Sequence, residues 1–396
     1  MRNNILLIAA TCATMMACNS GETATNRIEL PGMIDNEAFA VNVESISVMD
    51  LEMDDFWVFS DYYYTELSDN YLYMLDHKHF HLLCFDRHTG EKLSVRTIKG
   101  NGPGEIISVS STFCIDDTLC IYNYSGVFKY DHNCRFIGNI QDFKNMGTSS
   151  YSLIRQKCGN LAHIIHDNIL CDTAGATLIL TDKSFNVLSS HFVTPHFNVF
   201  TYGGPESCYA NNDTIRFFLS HDNHLYTLRG NTEECTELVV PNPMTPQIAG
   251  ELISKSDYEQ FNKYDSFWGL AGSGRFIVFR YRLDGEPHIA MVDTRTNQTV
   301  SLSQESESFA STSDIINCFF RNTWLIKTDG RFIYVGIQNH DLAEIFEADE
   351  KNLDDRLKKT RAEYRAYLER NAEYIKGLEP DERDAANVIL KIKLKD

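Results

Sequence analysis

Proline is scarce, with 9 in a chain of 396 residues. Beside 19 Tyr and 24 Phe, that scarcity argues against disorder and for strands. Basic residues are outnumbered, 36 Lys and Arg against 55 Asp and Glu, for a formal net charge of −19. A field of that sign repels phosphate backbones, which argues against nucleic acid as a partner. No apolar run approaches the ~18 residues a membrane-spanning helix needs. The chain has no CxxC pair, no zinc-ligand spacing and no G-x-S-x-G nucleophile elbow. No cofactor, metal or catalytic residue is therefore expected.

The first residues, "MRNNILLIAATCATMMACNS", carry Arg2 and then a short apolar stretch from Ile5 to Ala17, the pattern of an export signal. The stretch ends at Met15-Met16-Ala17-Cys18, which resembles a bacterial lipobox with Met15 in place of the usual Leu. Residues 1–17 are expected to be a signal peptide, Cys18 the lipidated new N-terminus and 18–27 a flexible tether. An ordinary signal peptide with an incidental Cys18 is the alternative. The expected address is the cell envelope, anchored at the outer membrane and facing periplasm or surface, with membrane contact through the Cys18 lipid alone. Most of the nine later cysteines sit in apolar alternating runs, such as Cys84 in "FHLLCFD" and Cys318 in "INCFF". They read as small buried hydrophobes. An extracytoplasmic address would permit a disulfide or two, and the spacing does not say which.

One pattern recurs along the chain: an Asx- or Gly-rich turn, then alternating apolar residues. Aligned on Asn70, Asp117, Asn160, Asp213, Gly274 and Gly330, the copies are 47, 43, 53, 61 and 56 residues apart. A second pattern, a strand ending in aspartate and then a tight turn, follows at Asp86, Asp131, Asp182 and Asp293, with Arg229 standing in the fourth unit. Two hairpins per unit make four strands, and six such units predict an all-β, six-bladed propeller over residues 28–396. A propeller must close its ring or expose a sheet edge. The C-terminal "NVILKIKLKD", 387–396, fits the third strand of blade six, and "VESISVMDLE", 43–52, fits its missing fourth. The stretch 341–378, with Phe346, Leu353, Leu357, Tyr364, Leu368 and Ile375 at helical steps, predicts an amphipathic helix inserted in blade six, spanning about 341–386 with its flanks. As an insertion into a hairpin, its deletion around 349–376 with a short linker restored should be tolerated far better than loss of residues 388–396.

"KGNGPGE", Lys99 to Glu105, has the glycines of a phosphate loop. A phosphate loop, however, opens a helix, and here "IISVSSTFCI" follows, β-branched and strand-like. The segment reads as a corner between two blades, echoed by "YGGPES" at 202–207. Following "LCFDRHTGEKL", it resembles the corner of six-bladed β-propeller lipoproteins related to the NHL and TolB-like propellers. The resemblance spans residues 28–396 by architecture and 71–105 by motif. It implies the fold but no activity, because members of that group generally have none assigned.

By propeller convention the corners, the helical insert and the turns between second and third strands share a face. That face holds "DHKHFH" with His77, His79 and His81, the corner residues Asn101 and Glu105, and "HDNH" with His221 and His224. Alternate histidines on an extended chain point to one side and can bind zinc, but no Cys or carboxylate is seen to complete the set. "HIIH", 163–166, lies in a strand and reads as structural. The expected function is a binding module, a monomer holding a protein or glycan at this face. The alternative is a hydrolase or lyase acting on envelope or extracellular carbohydrate at the central channel. Arg and Asp residues of the inner strands could serve it, without the sequence choosing among them.

Overall fold

The structure, a computed structural model, describes residues 26–53, 63–76, 78–123, 125–140, 151–165, 176–193, 207–219, 222–255, 258–303, 309, 311–321, 323–347 and 350–396. Its strands form six sheets of four, two of which carry a fifth strand. The first sheet is Tyr63–Leu67, Tyr71–Asp76, His81–Asp86 and Lys92–Thr97, joined as a meander. Sheets two to five repeat that order, opening with Ser111–Ile115, Tyr151–Arg155, Cys208–Asn211 and Ser266–Gly272. The sixth runs Thr323–Thr328, Ile333–Gln338, Asn387–Leu394 and Val43–Val48. Consecutive opening strands touch from the first sheet through to the sixth. The architecture is compatible with a six-blade, propeller-like all-β fold.

Local sequence accounts for the hairpins. All six aligned turn residues fall between the first and second strands of a sheet. Asp116 and Asn212 take positive φ there, which short polar side chains tolerate. At the second hairpins the aspartates cap their own turns. The Oδ1 of Asp86 accepts the amides of His88 and Thr89 at 2.8 Å each, and Asp131, Asp182 and Asp293 do the same for their turns. The backbone amides of Thr89 and His88 hold the Asp86 carboxyl below its usual range. Arg229 breaks the pattern without harm, because its hairpin is a two-residue turn in which Gly230 has a φ of +58°.

Burial follows position within a sheet. The second strand Tyr71–Asp76 is buried on both faces, while the outermost strand Lys92–Thr97 is half exposed. The largest apolar cluster joins the first, fifth and sixth sheets to the helices after the sixth sheet's second strand.

The amino-terminal segment is laid along three sheets in turn. Arg27–Glu29 runs parallel to Thr232–Val239 of the fourth sheet, and Met33–Ile34 parallel to Gln298–Ser301 of the fifth. A short helix, Asn36–Ala40, follows, its start capped by Asp35 Oδ1 accepting the Ala38 amide at 2.9 Å. Strand Val43–Val48 then pairs antiparallel with Asn387–Leu394, with Val48 opposite Leu390 and Ile46 opposite Ile392. The expected pairing of the two terminal regions is present, although the strand stops at Val48. The two parallel strands were not foreseen, being only three and two residues long.

Four helices, Asn339–Phe346, Asp355–Arg370, Ala372–Lys376 and Pro380–Ala385, lie between the sixth sheet's second and third strands. The first three pack into the largest apolar cluster. Leu357, Thr360, Tyr364 and Tyr367 are buried. Thr360 Oγ1 donates to Ile46 O at 2.9 Å, Val48 N donates to Glu363 Oε2 at 3.0 Å, and Arg356 Nη1 reaches the carbonyls of Ala40 and Val43. The long helix therefore covers the outer edge of strand Val43–Val48, supplying partners to backbone groups that would otherwise face solvent. At its far end Arg370 Nη1 donates to Asp50 O at 2.8 Å and Thr89 O at 3.3 Å.

Two further helices, Pro246–Ser254 and Thr312–Arg321, were missed by the sequence pattern. In the second, Ile315, Ile316, Phe319 and Phe320 are all buried. Eight cysteines are described and all eight are free thiols, six of them buried. The disulfides an export address would allow are therefore not formed among the described residues.

Two outcomes follow. Removing residues 388–396 takes out Val388, Ile389, Leu390, Ile392 and Leu394, each at most 1% exposed, and strips strand Val43–Val48 of its partner. The whole domain should then aggregate or lose its cooperative melt, as read by size-exclusion chromatography and calorimetry; a soluble, cooperatively melting product would contradict the account. Leu357→Ala should cost about 2–5 kcal/mol in urea unfolding, the range for truncating a buried leucine, whereas a dispensable helix would show almost no loss.

Candidate ligand-binding cavity

Of the residues singled out in the sequence, Cys18, His77 and His221 lie outside those described, as does the "YGGPES" echo. The "KGNGPGE" segment is a corner, linking Lys92–Thr97 to Ser111–Ile115. Glu105 folds back on it, Oε2 accepting the Gly102 amide at 2.8 Å. A Cβ on Gly104, whose φ is +73°, would stand 2.3 Å from Phe136 Cβ, which explains that glycine. Asn101 is exposed and points to no assembled site. His79 and His81 flank the same end of the first sheet, beside the corner: Lys99 Nζ donates to Lys78 O at 3.4 Å. His224 belongs to the corresponding turn of the fourth sheet, where Asp222 holds its imidazole pKa up. His163 is a core residue, donating to or accepting from Thr181 Oγ1 at 2.8 Å, and burial pushes its pKa down to about 3.

A concavity lies at the other end of the strands. The first strands of all six sheets finish there, and with their following turns they line a cavity of about 930 Å³. Its charged side chains are Arg87, Arg155, Lys157, Lys327, Arg331 and Lys393, against Glu66, Asp69, Asp329 and Asp396. In a chain of net charge −19, the lining itself has a small cationic excess, before Asp116 and Glu44, the partners of Arg155 and Lys393 beyond it, are counted. Walls of low dielectric concentrate such a field at the mouth of a cleft.

Ion pairs between sheets hold the lining in place. The buried carboxylate of Glu66 accepts from Lys327 Nζ at 2.6 Å and from Thr112 Oγ1 at 2.8 Å, tying together the first, sixth and second sheets. Arg87 of the first sheet pairs with Asp329, donates to Tyr334 Oη at 2.6 Å, and donates to Ser68 O at 2.6 Å. Arg155 lies 3.2 Å from Asp116 and 3.9 Å from Asp69. On the fourth sheet Tyr209 Oη accepts from Arg216 at 3.0 Å, and burial holds its phenol above the usual range. The sequence carried a trace of this arrangement, since six of the lining segments abut the aligned first turns, with Arg87, Lys393 and Asp396 apart from them. It could not tell which inner-strand residues face inward.

Glu66 offers a test. Burial raises its pKa from the ordinary 4.5, and the Lys327 ammonium opposes that rise. The folded value lies above the unfolded one. The stability linked to its proton is therefore full below about pH 4.5 and is lost as pH climbs through the folded value. Lys327→Met should push that value higher and destabilise the fold by roughly 2–4 kcal/mol at pH 7, a little under the cost of stranding a fully buried charge. Urea melts should show a smaller loss at pH 5, and Glu66→Gln with Lys327→Met should recover much of it. A penalty independent of pH would contradict the assignment.

Among the described residues, no helix is long and apolar enough to cross a membrane. No match was found among curated proteins. The fold is similar to a solved structure from Bacteroides fragilis, described as an exported protein, with TM-score 0.62 and 15% identity over 90% of this chain and 96% of that one. It is also similar to a member of the DUF4221 family from Bacteroides vulgatus, with TM-score 0.52 and 10% identity over 89% and 98% of the two chains. At such identities the likeness concerns fold alone. Residues 27–365 match the family model described as a domain of unknown function, DUF4934, and the chain belongs to that family.

Proposed function

We propose that the protein is a lipid-anchored binding module of the cell envelope whose ligand, an acidic glycan or a comparable small anion, enters the central cavity. The observation that carries this is the cationic lining of that cavity in a strongly acidic chain. Its volume, about 930 Å³, suits a few sugar units or one small molecule rather than a protein surface. The proposed site has thus moved from the corner face to the opposite end of the sheets.

In this reading the six sheets form a closed ring of blades over residues 28–396. Its sixth blade is completed by strand Val43–Val48, and the helices of 339–385 are inserted into it. Residues 1–17 serve as a signal peptide and 18–25 as a tether from an acylated Cys18, two residues shorter than the sequence suggests because Asn26 and Arg27 already bond to the fourth sheet. Kinship with NHL and TolB-like propellers belongs to the same proposal, as does a monomeric state. The exported description of the Bacteroides fragilis structure supports the address. Carbohydrate cleavage draws less support, because Glu66, Asp69 and Asp329 each face a cation in an ion pair. None is a carboxylate set apart for acid or base work.

The test is calorimetric titration with an oligogalacturonide and with a neutral oligosaccharide of equal length. The acidic sugar should bind, with affinity falling as salt rises, and the neutral one should bind at least tenfold more weakly. Lys157→Glu combined with Arg331→Glu should abolish the difference. Equal binding of both sugars, or no loss in the double variant, would contradict the proposal. For the anchor, Cys18→Ala should release the protein from the membrane fraction, and a wild-type chain without an acyl group would refute it.

A further inference from the structure

We propose a divalent transition-metal site at Asp76, His79 and His81, at the end of the first sheet remote from the cavity. Asp76 closes the second strand, His79 stands in the turn and His81 opens the third strand. Sequence inspection found the two histidines but not the carboxylate that completes the set.

The donor atoms converge. One nitrogen or oxygen from each residue lies within 4.8 Å of the other two. His79 Nδ1 is 2.7 Å from Asp76 Oδ2, and His81 Nδ1 is 3.6 Å from the same oxygen. The two imidazoles stack with centroids 5.5 Å apart and planes 17° off parallel, so both present Nδ1 to one carboxylate oxygen. Metal–ligand bonds of about 2.0–2.1 Å in tetrahedral geometry put donor atoms roughly 3.3 Å apart. The Asp76–His81 separation already fits. His79 must withdraw by a fraction of an ångström, and its half-exposed ring has room to do so.

The surroundings are built rather than incidental. The Asp76 side chain is only 1% exposed, unusual for a carboxylate. Its Oδ1 accepts the Lys78 amide at 2.7 Å, which fixes its plane and leaves Oδ2 toward the histidines. Phe80, between the two histidines, takes a φ of +60°, which a bulky residue rarely adopts. Its ring is buried, and its backbone is held by Asp76 O at 2.9 Å and by the Ile98 amide at 2.9 Å. That conformation sends Phe80 inward while the histidines flank it. Among the described residues no other strand-two turn repeats the set: the fourth sheet pairs His224 with Asp222, and the fifth turns through Asp284 and Gly285.

Two imidazoles and one carboxylate suit zinc and its neighbours in the first transition row rather than calcium or magnesium. Among the described residues three protein ligands leave a fourth position, and with His79 and His81 both partly exposed it opens to solvent. Such a site can take water or a donor from outside.

The test is zinc titration of the full chain, purified without a histidine tag, followed by calorimetry and by metal analysis after dialysis. We expect about one zinc per chain and a cobalt derivative whose visible absorption marks low coordination number. His79→Ala with His81→Ala should lower zinc affinity at least 100-fold while circular dichroism and melting without metal stay unchanged. His224→Ala should bind as wild type does. Magnesium at equal concentration should not compete. A wild-type chain that takes up no zinc, or a double variant that binds as tightly as wild type, would overturn the assignment.

Discussion

The antiparallel pairing of Val43–Val48 with Asn387–Leu394 is the interaction on which the rest depends. These strands lie more than 300 residues apart in sequence, and each is otherwise a bare edge. Without the pairing, the sixth sheet ends at a strand whose Val388, Leu390 and Ile392 are fully buried, and the N-terminal segment has nothing to end on. The helix Asp355–Arg370 then loses its floor, since Thr360, Glu363 and Arg356 all bond to the backbone of residues 40–48. The parallel strands Arg27–Glu29 and Met33–Ile34 extend the same device to the fourth and fifth sheets.

The cavity depends on this contact at one remove. Its lining needs six opening strands side by side, and the first and sixth are joined by Glu66 with Lys327 and by Arg87 with Asp329 and Tyr334. Neither pair is worth much as stabilisation, because burying charge costs about as much as the attraction returns. Their effect is positional. They join the first and sixth sheets and hold cations around the cavity in a chain whose overall charge is negative. The Asp76, His79 and His81 cluster is independent of those pairs, being set by one hairpin and the corner beside it.

The hairpin turns were legible in the sequence because they are local. Asp86, Asp131, Asp182 and Asp293 bond to amides two to four residues on, so a residue type at a spacing is enough. Terminal strand pairing was legible by elimination, from an apolar alternating strand with no neighbour. The helix Thr312–Arg321 was not, because its buried Ile315, Ile316, Phe319 and Phe320 sit in a short run that also reads as a strand. The signal present was Ser311, whose Oγ accepts the Asp314 amide at 3.2 Å as a helix cap. The Asp76 ligand was hidden for another reason: as the last residue of a strand it read as part of the turn, and its burial comes from packing that no local pattern encodes. The cavity required the third dimension outright, since its residues come from segments spread from Glu66 to Asp396 that only the fold assembles.

Native-state hydrogen exchange tests the central claim most directly. If the two terminal strands complete one cooperative ring, the amides of 46–48 and 389–392 should exchange only through global unfolding, with the same opening free energy as the second strands of the other sheets. If those amides open well below the global value while the remaining sheets stay protected, the terminal pairing is an appendage and the account fails.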